Sequence, residues 1–89
     1  MMETRIAVMS IIVENPNVVE TINNLLHDYS EYIIGRMGIP YRAKARKVNI
    51  ISIAIDAPQD TISSLAGKVG KLPGISVKTA LSNVVNNDE

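Results

Sequence analysis

Residues 5–16 read RIAVMSIIVENP, and residues 47–58 read KVNIISIAIDAP. With a shift of 42 positions, Ser10 falls on Ser52, Ile11 on Ile53, Glu14 on Asp56 and Pro16 on Pro58. The same shift sets Arg5 on Lys47 and Ile6 on Val48. Aliphatic matches arise easily, so the polar and proline matches carry the weight. Each copy is a β-branched run, apolar on both alternating faces, which marks a buried central strand. Each closes with an acid and then a proline suited to the first turn of a helix, and Asn15 is placed as an N-cap. Two similar halves, each beginning strand then helix, follow from this pairing.

Beyond Pro16, the residues Val18, Val19, Ile22, Leu25, Leu26 and Tyr29 recur at helical spacing and predict a helix over about 16–29. Beyond Pro58, Ile62, Leu65, Ala66, Val69 and Leu72 predict a second, which LPG at 72–74 ends. Strands are expected at 4–14, 31–41, 47–56 and 75–82, and the closing NNDE is expected to fray. The shift also pairs Ile33 with Ile75, Arg36 with Lys78 and Ile39 with Leu81. The order βαββαβ makes one α+β domain over 1–89, with an ordered core of about 3–83. It is a ferredoxin-like sandwich, a four-stranded antiparallel sheet with two helices on one face. Right-handed crossovers are expected to set strands one and three parallel at the centre, with two and four outside.

Helices cover one face only. Met9, Ile11, Val13, Ile51, Ile53 and Ile55 are assigned to it, and alternation sends Ile6, Val8, Ser10, Ile12, Val48, Ile50, Ser52 and Ala54 to the other. In the second strand the repeat puts Ile33, Gly35, Met37 and Ile39 on the helix side, leaving Ile34, Arg36 and Gly38 facing away. That strand lies at the edge, where Pro40 is tolerable and free backbone groups can meet a neighbour. If about 400 Å² of the open face is apolar, burial at ~25 cal/mol/Å² is worth about 10 kcal/mol before association costs. The expected partner is therefore the chain itself, as homodimer or homotetramer, through Ile6, Val8, Ile12, Ile34, Arg36, Gly38, Val48 and Ile50.

Nine basic and nine acidic residues cancel, so no net field draws the chain to nucleic acid or membrane. With no cysteine, disulfides, thiolate metal sites and cysteine nucleophiles are excluded. The start METRIAVMSIIVEN lacks the marks of a signal peptide, and the apolar runs are strand length, so a cytoplasmic setting is expected. His27 is the single histidine, which leaves no basis for a catalytic triad and allows a metal only at an interface between copies. No catalytic residue, cofactor or metal site is assigned. Asn15 and Asn17, in the turn before the first helix, are the candidate small-ligand contacts, with capping as the simpler role. Arg42, Lys44, Arg46 and Lys47 form a basic connection able to meet phosphate. However, the central strands lack the aromatics on which RNA bases stack in domains of this topology, so nucleic acid is the weaker alternative.

GRMGIPYR at 35–42 and LPGISVKTA at 72–80, set in this layout, resemble a small bacterial family of regulators of the iron-only hydrogenase system with an ACT-like fold. The resemblance spans Glu3 to about Ser82. More distantly, the chain is similar to the ligand-binding domain of nickel-responsive repressors, without the several histidines and the cysteine that their metal requires. The resemblance implies a non-enzymatic ACT-like regulatory module that senses a small ligand or contacts a partner protein. The alternatives are an interaction module without ligand, or nucleic-acid binding through 42–47.

Overall fold

The structure is a computed structural model and describes residues 2–43 and 45–88. Its elements are β1 (Met2–Val13), α1 (Val19–Asp28), β2 (Ile33–Tyr41), β3 (Val48–Ala57), α2 (Gln59–Gly70), β4 (Ile75–Leu81) and β5 (Asn86–Asp88). Four strands form an α+β sandwich in the order β2-β3-β1-β4, every neighbouring pair antiparallel. The expected parallel pairing of the two central strands is corrected, because β1 and β3 run antiparallel. Each crossover does return its strand in the parallel sense, β1 to β2 and β3 to β4. It leaves a gap one strand wide, which the central strand of the other half fills in the opposite direction.

The helices start where the prolines put them, with a delay. Asn15 Oδ1 accepts from the Asn17 N–H at 3.0 Å, and Pro16–Val18 form one 3₁₀ turn before α1 proper. Pro58 stands just outside α2, its carbonyl accepting from Thr61 and Ile62 at 3.0 and 3.2 Å. A second 3₁₀ turn, Ser30–Tyr32, occupies what the sequence suggested as the start of β2. Gly74, after α2, takes φ +73°, the left-handed region that favours glycine, and its carbonyl accepts from Glu14 N at 2.9 Å. A Cβ there would lie 2.7 Å from the Cβ of Asn15.

The core lies between the helices and one sheet face. Met9, Ile11, Val13, Ile53 and Ile55 from the sheet are sealed by Ile22, Leu26, Leu65 and Val69 from the helices. No polar side chain is buried among the described residues, so aliphatic burial alone carries this layer. The chain end departs from expectation. Asn86–Asp88 pair with Met2–Thr4 instead of fraying, while Glu89 lies outside the described residues. The start of β1 overhangs both neighbours, whose registers begin at Arg5 and Ala7. Its free N–H and C=O groups there are what β5 satisfies. Among the described residues no helix is long and apolar enough to cross a membrane.

Candidate functional site

The sheet face away from the helices is organised in rows that run across the strands. Register aligns Ile39, Ile50 and Ile12 in one row and Met37, Ser52, Ser10 and Lys78 in the next. A third row holds Gly35, Ala54, Val8 and Ala80. An aliphatic ridge and a shallow trough of mostly small residues thus flank a polar middle row. Ile6, Val8, Ile12 and Ile50, assigned to this face from alternation, are 39–45% exposed. Val48 differs. Paired with Tyr41, and with its carbonyl accepting from Arg42 Nη1 at 3.3 Å, it is only 8% exposed and stands outside the main core cluster.

The second strand is the principal correction. Ile33 pairs with Ile55 and Gly35 with Ala54, so one residue, Ile34, is looped out in a bulge. Beyond it the side chains change sides. Arg36 pairs with buried Ile53 and Gly38 with buried Ile51, which places both on the helix side, not on the open face. Met37, Ile39 and Tyr41 take the open face, 59%, 46% and 47% exposed. Sequence reasoning missed these three because it carried strict alternation through the strand. The available signal was the pair Ile33–Ile34 followed by glycine, two apolar neighbours where a half-buried strand would alternate. Arg36 Nη2 instead donates to Asn23 Oδ1 on α1 at 3.1 Å.

The remaining candidates sit apart from one another. Asn15 and Asn17 are joined to each other as a cap, and Asn15 packs against Gly74. In the basic connection, Arg46 pairs with Glu14 at 3.1 Å. Arg42 donates to the carbonyls of Tyr41 and Val48, at 2.9 and 3.3 Å, so both arginines have partners within the chain. Lys47 is exposed and Lys44 lies outside the described residues. His27 is exposed in the last turn of α1, and no group of three or more His, Cys, Asp or Glu side chains arranged to hold a metal occurs among the described residues. Between the helices, Tyr29 and Ser64 share a hydrogen bond of 3.1 Å, and the Lys68 ammonium lies 5.2 Å from the Tyr29 ring centroid. Lys68 and then Ser64 hold the Tyr29 hydroxyl below its ordinary pKa, and Tyr29 in turn raises that of Lys68.

Residues 5–79 match a family described as "Iron-only hydrogenase system regulator, putative", the TM1266-like family. Among solved structures, uncharacterized protein TM1266 from Thermotoga maritima is similar at 34% identity and a TM-score of 0.80. The likeness covers 88% of this chain and 96% of that one. No curated protein matches the chain.

Proposed function

The chain belongs to the TM1266-like family of iron-only hydrogenase system regulators, and from that premise we propose that it acts as a non-catalytic module assembled from copies of itself. In this reading the open sheet face is the seam between copies, and the assembly responds to a small ligand or to a partner protein. The observation that carries it is the pattern of that face. Its ridge of Ile39, Ile50 and Ile12 and its trough of Gly35, Ala54, Val8 and Ala80 lie on opposite sides of the Ser10–Ser52 row. A twofold axis through the serine row would set each ridge into the other copy's trough, which is the self-complementarity that a symmetric dimer needs. Gly35 fits this arrangement. A Cβ there would meet nothing within 4 Å and its φ is not positive, so neither crowding nor backbone conformation within one chain calls for glycine.

A regulatory role is the one that the family's description carries. Light scattering at micromolar concentration tests the assembly. A multiple of the 9.7 kDa chain mass is expected, and a monomer alone would overturn the proposal.

A further inference from the structure

On the helix side of β2, α1 leaves the sheet edge uncovered and two hollows adjoin. One, about 260 Å³, lies over Gly38 and Pro40 between Val19 and Asn49. The other, about 430 Å³, lies between Ile33 and the turn formed by Leu26, His27 and Ser30. Asn23 and Arg36 line both, and their hydrogen bond of 3.1 Å is the partition. No acidic side chain lines either hollow, and Arg36 has no carboxylate partner among the described residues. A guanidinium carries five N–H donors, and this hydrogen bond uses one. Because Asn23 accepts through Oδ1, its NH₂ is not engaged by this bond. Gly38 is bare although φ and neighbouring atoms would both admit a side chain, which keeps the floor of the smaller hollow low.

Donors without an acid, beside aliphatic walls from Val19, Pro40 and Ile51, suit one kind of occupant. We infer that this groove binds a small organic carboxylate, with Arg36 and Asn23 holding the charged end and the aliphatic walls holding the rest. The planar guanidinium fork matches the two oxygens of a carboxylate, and one fixed cation with apolar walls suits that group better than a bare polyanion. The inference names the ligand class and the site for the sensing part of the proposed function, and rests on that part alone.

The test follows the Arg36 Nε–H and Asn23 NH₂ signals of the isotope-labelled whole chain by NMR. Isovalerate, its uncharged analogue isovaleramide and inorganic phosphate are titrated separately. Isovalerate should give saturable shifts at both groups, isovaleramide none, and phosphate weaker ones. Arg36→Gln should weaken isovalerate binding about tenfold or more, as loss of a charge-assisted pair does. Gly38→Leu should abolish binding by filling the hollow while leaving the remaining spectrum unchanged. Absence of saturable shifts, equal shifts with isovaleramide, tighter binding of phosphate, or indifference to Arg36→Gln would each overturn the assignment. Light scattering of the same samples separates the two failures. Oligomers without binding remove this site and leave the assembly standing, whereas binding by a monomer does the reverse.

Discussion

Ile11 and Ile12 are adjacent in sequence yet belong to opposite faces, and their substitution should produce opposite outcomes. Ile12 is 41% exposed at the centre of the open face beside Ile50, which is 39% exposed, whereas Ile11 is fully buried. Burying a whole aliphatic side chain is worth about 1.5–3 kcal/mol, so covering the exposed part of Ile12 is worth about 0.6–1.2 kcal/mol. Over Ile6, Val8, Ile12, Met37, Ile39, Ile50 and Tyr41 the same scaling gives about 5–10 kcal/mol per copy. A symmetric pair gains about 10–20 kcal/mol against roughly 4–15 kcal/mol of association cost, so the ~8 kcal/mol of a micromolar affinity lies within what the face can supply. Ile12→Arg removes one such contribution per copy and forces two unpaired cations into the seam, each costing several kcal/mol. The dimer should weaken by at least about 4 kcal/mol, roughly a thousandfold, while the monomer keeps its fold because the new side chain reaches water. Ile11→Arg should instead unfold the chain, since an unpaired charge in the core costs about as much as a small domain's whole stability of ~5–15 kcal/mol. Sedimentation equilibrium gives the mass and circular dichroism the fold. An Ile12→Arg variant with the mass of an oligomeric parent, or a folded Ile11→Arg variant, would refute the reasoning.

Gly35→Val, in the trough, should weaken the assembly at least tenfold, whereas Gly38→Val, on the helix side of the same strand, should leave the mass distribution unchanged; equal effects would place the seam elsewhere. Gly74→Ala forces a Cβ against Asn15 at φ +73°, and the left-handed conformation alone costs about 1–2 kcal/mol. With the clash the loss should exceed ~2 kcal/mol, lowering the melting temperature by about 8 °C or more at fixed protein concentration; a change under ~2 °C would refute it. Tyr29 should release its proton below the ordinary tyrosine range in an alkaline titration followed by tyrosinate absorbance, and Lys68→Met should abolish that early phase. A folded-state pKa below the ordinary 10.0 favours the folded chain above pH 10, and this part of the linkage is lost as pH falls through the lowered value. An early phase that persists in Lys68→Met would refute the attribution.

The sandwich was legible because its information is periodic. Ser10 with Ser52 and Pro16 with Pro58 mark two copies of one unit, and alternation from Met9 to Val13 and from Ile51 to Ile55 sorts the faces as the structure has them. Strand direction at the centre is different in kind. The repeat requires each crossover to join parallel strands but does not say which strand enters the gap, and the structure interleaves the two halves. Asn86–Asp88 carry no apolar pattern, and they pair because β1 overhangs its neighbours, a property of register and not of composition. Asn15 shows the limit for sites. Its residue type suits both a cap and a ligand contact, and only the hydrogen bond to Asn17 with the packing against Gly74 shows that the cap is filled.

The bulge at Ile34 explains why the two halves, alike in sequence, end unlike in surface. In β4, Ile75, Val77 and Leu81 keep to the helix side and pack on the core. Their repeat partners Gly35 and Ile39 are carried by one extra residue to the opposite face, and Arg36 and Gly38 replace them beneath α1. A slip of one residue exchanges every side chain beyond it, since the strand period is two. The half ending in β4 therefore closes its layer, while the half ending in β2 leaves aliphatics on the sheet and a guanidinium beside a hollow. Both candidate surfaces depend on this single irregularity, and they share a strand in which Arg36 and Gly38 alternate with Met37 and Ile39. Taking Ile34 into the ladder opposite Ala54, so that alternation runs unbroken from Ile33, would exchange the two sets. It would set Arg36 and Gly38 on the open face, return Met37 and Ile39 to the helix side, and remove the seam and the groove together.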